Sequence, residues 1–249
     1  MPGLWLGVWA SVIYIGFLAL TTALIFGSVN TPAALETVLW QLLAVQCIAA
    51  LFCALVAWRR FGWVGAGFYR LDPRALFLMA PAIAVLGIMY WDISAALSWA
   101  EIFELGPMIL ISLVILTACV GFGEEVLFRG ILLRSALRRL HVAHAMLLSA
   151  VLFGVFHLIN VLAGQSVGTT GQQVIFAFLV GFAMAPVALR LRNLWPLIIW
   201  HWLWNLAVFV SQAFDILHPL VLSGMAMQAV ISVWLWVDLA RFGVPAPAD

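Results

Sequence analysis

Charge is too scarce in this sequence for water to be its solvent. Asp, Glu, Lys and Arg make up only 8% of 249 residues, where a soluble domain carries roughly 25%. Hydrophobic residues account for 66%, against about 45–50% in a soluble domain. So few charges cannot cover the surface of a soluble protein of this size. A soluble globular enzyme, a disordered chain and a secreted disulfide scaffold are all excluded. What remains is an all-α polytopic transmembrane bundle. At about 20 residues per span, eight spans would use roughly 160 residues and leave only short loops.

The other bulk properties narrow this further. A net charge of +1 supplies no basic field for nucleic acid. Cys47, Cys53 and Cys119 all fall inside apolar runs and read as small core residues, not a disulfide set. The first 26 residues lack a basic leading region and a small-residue cleavage site, so they read as a retained first span. With no repeat, low-complexity tract or long linker, residues 1–249 read as one integral membrane domain.

Apolar runs bounded by polar or Gly/Pro clusters place the spans. The first is expected from Leu4 to Phe26, before a turn at Gly27-Ser28-Val29-Asn30. The second runs from Leu35 to Trp58 and stops at Arg59-Arg60. An interfacial segment, Phe61 to Arg74, leads to the third at Ala75 to Ile93. The fourth starts near Pro107; its pattern continues to Leu140, so its last turns are expected to protrude as an Arg-rich helix. The fifth covers Val142 to Leu162. A polar loop, Gly164 to Gln173, precedes the sixth at Val174 to Leu189. The seventh covers Leu194 to Ser211, the eighth Leu217 to Leu239. The tail around Val244-Pro245-Ala246-Pro247 is expected to be disordered.

There is no Lys, so all 11 basic residues are Arg. With eight spans, ten of them fall on one side: Arg59, Arg60, Arg70, Arg74, Arg134, Arg138, Arg139, Arg190, Arg192 and Arg241. Basic residues accumulate in cytoplasmic loops, so that side and both termini are expected to be cytoplasmic. The opposite loops hold Glu36, Glu101, Glu104 and Asp215.

Arg129 is the one left over. It lies inside span four with Glu124 and Glu125, in Gly121-Phe-Gly-Glu-Glu-Val-Leu-Phe-Arg-Gly130. Ionisable groups at membrane depth cost about 2.5–3.5 kcal/mol each on insertion scales and demand partners. Glu125 and Arg129 are four apart, share a helix face and can pair. Glu124 is turned by about 100° from its neighbour and is the carboxylate left free to act. Gly121, Gly123 and Gly130 would let other helices approach closely. Span five adds His157 and Asn160, and span seven places His201 and Asn205 on one face at i, i+4. His141, His144 and His218 sit near the membrane edges and read as solvent-facing.

A free carboxylate, two imidazoles and an amide can supply a general base and an oxyanion site. That combination describes peptide-bond hydrolysis by activated water. The HExxH pattern of zinc proteases is absent, no Ser stands in a nucleophile motif, and Cys119 has no His at useful spacing. Gly121-Phe-Gly-Glu124 is distantly similar to the GxGD of intramembrane aspartyl proteases, yet no second intramembrane Asp completes a dyad. A metal site built from Glu124, His157 and His201 stays open in chemical terms.

Glu124-Glu125-x-x-x-Arg129, Phe153-x-x-x-His157 and His201-x-x-x-Asn205 together resemble the three ordered motifs of the CPBP family. This family comprises type II CAAX prenyl endopeptidases, Ras-converting enzymes and bacteriocin-processing enzymes, also called Abi proteins. The resemblance covers a motif-bearing core of about 107–210. It implies a glutamic intramembrane endopeptidase in which Glu124 and His157 activate water. His201 and Asn205 would form the oxyanion site, with Glu125 and Arg129 as structural support. It further implies a metal-independent mechanism, hence no metal and no cofactor.

The substrate expected is a membrane-embedded protein or peptide cut near its C-terminus. Prenylated, bacteriocin-like and C-terminal sorting-tail substrates all stay open. The Arg-for-Lys, Ala/Leu/Trp-rich composition suggests a GC-rich bacterium and its inner membrane. Two other functions fit a chain of this kind: a non-proteolytic membrane scaffold or immunity protein, and an ion-coupled transporter using Glu124 and His157 as a relay.

Overall fold

The computed structural model describes residues 3–27 and 35–244. The turn expected after the first span and the Pro-rich tail beyond Val244 lie outside the described residues. The described chain is an all-α polytopic bundle. Its helices are α1 Leu4–Gly27, α2 Leu35–Gly65, α3 Ala80–Ala96, α4 Trp99–Glu104 and α5 Pro107–Glu125. They continue with α6 Leu133–Ala136, α7 Val142–Phe156, α8 Val167–Leu191, α9 Trp195–Ala213 and α10 Val221–Phe242. A 3-10 segment, Pro73–Met79, leads into α3, and another, His157–Ala163, follows α7. A π-helical segment, Val126–Leu132, joins α5 to α6.

Among the described residues, seven helical stretches are long and apolar enough to cross a membrane. The expected span that is not among these seven is Leu194 to Ser211, which forms α9, a helix of 19 residues. Its lower apolarity has a plain cause: it carries His201, Asn205 and Gln212 on an otherwise hydrophobic helix. Bulky apolar side chains such as Trp5, Phe77, Trp91 and Leu222 point outward, as a lipid-facing surface requires.

Boundaries moved where local chemistry decided them. The second span does not stop at Arg59-Arg60; α2 reaches Gly65, with a break at Gly62 (φ 66°, ψ 158°). The polar stretch after α3 forms α4, started by a capping box in which Ser98 N–H donates to Glu101 Oε2 at 2.8 Å. These bonds hold the Glu101 carboxyl below its ordinary range. The loop expected at Gly164–Gln173 is largely the start of α8, because Ser166 caps it by accepting from Thr169 N–H at 3.1 Å. The Arg-rich end of span four does not protrude as a helix. Its helical course ends at Ala136, and Arg138 and Arg139 lie in the turns that follow.

The π segment sits at the centre of the bundle. Val126, Leu127, Phe128, Ile131 and Leu132 are fully buried, and α1 crosses over both this segment and the 3-10 turn after α7. On its flanks α5 packs against α2 and α9, α7 against α8, and α10 against α3 and α8. The α7–α8 contact depends on small residues, as membrane helix pairs do: a Cβ on Gly181 would stand 3.1 Å from Ala150 Cα.

The arginine-bearing stretches meet at one end. Arg192 lies over the Tyr69 ring at 4.6 Å, Arg190 pairs with Asp238, and Arg134 is adjacent to Gly67. An isolated antiparallel bridge, Phe68 to Asn193, ties two of these connectors together.

Two expectations fail. The cysteines are free, but only Cys53 is a core residue; Cys47 is exposed, with its Sγ 3.5 Å from that of Cys119. His218 is not solvent-facing. Its Nδ1 lies 2.9 Å from Asp92 Oδ2 and its Nε2 2.8 Å from Ser211 Oγ. This polar chain ties α3 and the end of α9 to the connector before α10, a tertiary arrangement that local sequence does not encode.

Candidate active site

The site forms where α5 and α9 touch. The cause is Gly121: a Cβ there would stand 2.9 Å from the backbone nitrogen of Trp202, so any side chain would force the helices apart. Gly123 and Gly130 are also close-approach positions, facing Tyr14 Oη and the Ala66 carbonyl at 3.1 and 3.0 Å from their would-be Cβ atoms. The tight crossing sets His201 of α9 against Glu124 and Glu125. Directly after this pair the chain widens into its π turn, a local device often found at functional sites.

A chain of polar groups runs through the contact. Arg129 Nη1 lies 3.1 Å from Glu125 Oε1. The same Glu125 oxygen accepts from His201 Nδ1–H at 3.0 Å. On the far side of the ring, His201 Nε2 is 3.7 Å from Glu124 Oε2, too far for a direct hydrogen bond. The Arg129 guanidinium also lies over the face of Phe153, 4.2 Å from its centroid, a favourable place for a buried cation. Glu124, Glu125 and Arg129 are all buried, none above 5% exposed.

The arrangement fixes the imidazole of His201. Donation to Glu125 occupies Nδ1 and turns Nε2 toward Glu124. Glu125 and Arg129 hold the ring in place. Glu124 Oε2, Glu125 Oε2 and the guanidinium nitrogens make no well-directed hydrogen bond among the described residues.

His157 comes from the opposite wall, at the first residue after α7. Its Nδ1–H donates to the Phe153 carbonyl at 2.9 Å, leaving Nε2 as an acceptor. Its ring packs edge-on against Phe153 and Phe156, both with centroids 5.2 Å away. His157, His201 and Asn205 line one cavity of about 360 Å³. Asn205 makes no hydrogen bond among the described residues, so its amide is free to serve the cavity. Asn160, one turn beyond His157, is turned elsewhere and donates to Gln173 Oε1 at 2.7 Å.

The structure therefore gathers His157, His201 and Asn205 around one space, with Glu124 immediately behind His201. Among the described residues no hydrogen bond or ion pair joins Glu124 to His157. Nor do any three His, Cys, Asp or Glu residues cluster so that they could hold a metal ion among the described residues. Glu124, His157 and His201 thus lack the grouping that the metal alternative needs.

One residue escaped the sequence reading. Tyr14 of α1 is 1% exposed and its hydroxyl has no partner among the described residues. Its Oη lies beside Gly123, one residue from Glu124. The sequence signal was a phenol in the middle of an apolar span, since a buried Tyr hydroxyl ordinarily finds a partner.

No curated protein and no solved structure is significantly similar to the chain. Residues 106–207, which contain all three motifs, match the family described as type II CAAX prenyl endopeptidase Rce1-like. That segment of the chain is thus similar to the CAAX-type prenyl endopeptidases.

Proposed function

We propose that the chain is a glutamic intramembrane endopeptidase. It hydrolyses a peptide bond near the C-terminus of a membrane-associated or tail-anchored protein or peptide. The observation that carries this reading is the convergence of His157, His201 and Asn205 on one cavity, with Glu124 3.7 Å from His201 Nε2.

Glu124 and His157 activate water, Glu124 as the base and His157 through its accepting Nε2. The water oxygen bonds to the scissile carbonyl carbon. The oxyanion that forms accepts from Asn205 Nδ2–H and from a protonated His201 Nε2. The carbon–nitrogen bond then breaks, and the proton taken from water passes to the leaving amine. Glu125 and Arg129 hold His201 in register. This route uses no metal and no cofactor. We place the enzyme in a bacterial inner membrane with both termini cytoplasmic, on the side marked by the arginines.

The test uses two labelled probes in detergent or liposomes. One is a farnesylated peptide ending in a CAAX tetrapeptide. The other is a single-span apolar helix followed by a short Arg-rich tail. The unaltered protein is expected to cut one of them, which identifies the substrate source. Glu124→Ala is expected to lower the rate at least about 10²-fold, within the range for loss of a general base, with insertion and folding unchanged. Cleavage retained in that variant overturns the mechanism and favours a scaffold or immunity role.

A further inference from the structure

The cavity is longer than the chemistry requires. Besides His201 and Asn205, its α9 wall includes Val208 and Gln212. Residues 201, 205, 208 and 212 are spaced 4, 3 and 4 apart and so share one helix face. Eleven residues at 1.5 Å each make this wall about 16 Å long. α7 ends, α8 begins and α9 ends at the same end of the bundle, so the cavity runs from the middle of α9 to that end.

The lining changes character along this length. Near the mouth stand carboxamides: Gln165 before α8, Gln172 and Gln173 in its first turns, and Gln212 on α9. Among the described residues, no Asp, Glu, Lys or Arg lines the cavity. Much of the amides' bonding capacity is unused. Gln173 accepts from Asn160 at 2.7 Å and Gln165 from Thr170 Oγ1 at 3.1 Å, which leaves each Nε2 free. Gln172 and Gln212 make no hydrogen bond among the described residues.

A peptide bond inside a helix has its carbonyl hydrogen-bonded and shielded, so a membrane substrate must unwind before it is cut. Unwinding frees one N–H and one C=O per residue, which lipid cannot satisfy. A carboxamide offers a donor and an acceptor together without a fixed charge. A row of them matches an unwound main chain whatever its side chains.

Resting on the protease reading, we infer that this carboxamide wall binds an extended, uncharged stretch of substrate backbone between the mouth and the scissile bond. At about 3.3 Å per extended residue, 16 Å holds about five residues. The wall selects for conformation and neutrality, and sequence is read elsewhere. It makes Gln172 and Gln212 substrate-positioning residues.

Binding is measured in the non-cutting Glu124→Gln background by fluorescence anisotropy, with fluorescein-labelled forms of the farnesylated peptide and the single-span peptide. Gln172→Leu/Gln212→Leu is expected to weaken the bound probe about tenfold, as loss of two hydrogen bonds implies. Both side chains are exposed at the mouth, so the fold does not depend on them. N-methylation of probe amides within five residues on the mouth side of the scissile bond is expected to weaken binding to the parent about tenfold. It should cost nothing further in the double variant. Equal binding by the parent and the double variant overturns the inference, as do an N-methyl penalty that persists unchanged in the double variant and binding of neither probe. Gln-dependent binding of a probe that the Glu124 protein does not cut supports the wall and overturns the proteolytic reading instead.

Discussion

Two polar clusters hold the middle and one end of this bundle, and each joins a histidine ring to a carboxylate. In the first, His218 links Asp92 and Ser211 at 2.9 and 2.8 Å, and the Ser211 hydroxyl donates to the Ala207 carbonyl at 2.7 Å. Among the described residues, no side-chain atom of Asp92, Ser211 or His218 is buried without a partner. In the second, His201 links Glu125 and Glu124, and Glu124 Oε2, Glu125 Oε2 and the nearby Tyr14 Oη are left without a hydrogen bond among the described residues. Native interiors pair nearly all buried polar groups, so an unpaired set calls for an explanation. A closed chain holds helices together. An open one keeps bonding capacity for a visitor, which in the proposed reaction is water and a scissile peptide. The difference separates fold from function more sharply than the resemblance of the parts suggests.

The largest effect should follow from the open cluster. Glu124→Gln is expected to slow cleavage about 10³-fold while leaving thermal stability unchanged or higher, since it removes a buried charge. Asp92→Asn, the matching change in the closed chain, should leave cleavage unchanged. A rate lost equally in both would erase the distinction. Next comes Arg129→Leu. It leaves Glu125 buried without its cation, and removing one partner of such a pair costs about 3–5 kcal/mol. Adding Glu125→Gln to that variant should recover most of the stability in a denaturation series but not the cleavage, because His201 then meets a neutral amide in place of the charged carboxylate that orients it.

Sequence revealed much of this because the solvent removes alternatives. In a chain with so few charges, three ionisable groups within six residues of one span already mark a special place, and their i, i+4 spacing predicts the Glu125–Arg129 contact. The same spacing puts His201 and Asn205 on one face of α9. What it hid was tertiary. Nothing local says that His201 Nδ1 turns to Glu125 and not to Glu124, or that Tyr14 arrives from a helix over a hundred residues away. The π turn after Glu125 has no composition of its own. His218 reads as solvent-facing because its partners, Asp92 on α3 and Ser211 on α9, are far from it or unmarked in sequence. Gln172 and Gln173 read as loop residues, beside Gly, Ser and Thr, until Ser166 caps them into α8.

His218→Ala tests the closed chain directly. Interhelical side-chain hydrogen bonds in membrane proteins are worth about 0.6 kcal/mol on average and up to about 1.7. Removing a ring that makes two should lower stability by about 1 kcal/mol. Cleavage of either probe should be unchanged, since the ring lies outside the cavity bearing His157 and His201. A cleavage defect without loss of stability would move this chain from the structural side of the comparison to the functional one.

Tyr14→Phe has the smallest expected effect and gives the sharpest test. A buried hydroxyl without a partner costs about 1–3 kcal/mol, and phenylalanine fills the same space against Phe156, whose ring centroid is 5.8 Å away. If Tyr14 Oη is part of the open cluster, the variant is expected to be more stable by about 1 kcal/mol, read as a higher unfolding midpoint in detergent. The matching change in the closed chain, Ser211→Ala, should go the other way, because it strips His218 of its acceptor. The sign of the difference therefore decides the matter. A Tyr14→Phe protein less stable than its parent means that the hydroxyl already has a bound partner, and that the cluster around Glu124 is as closed as the one around His218.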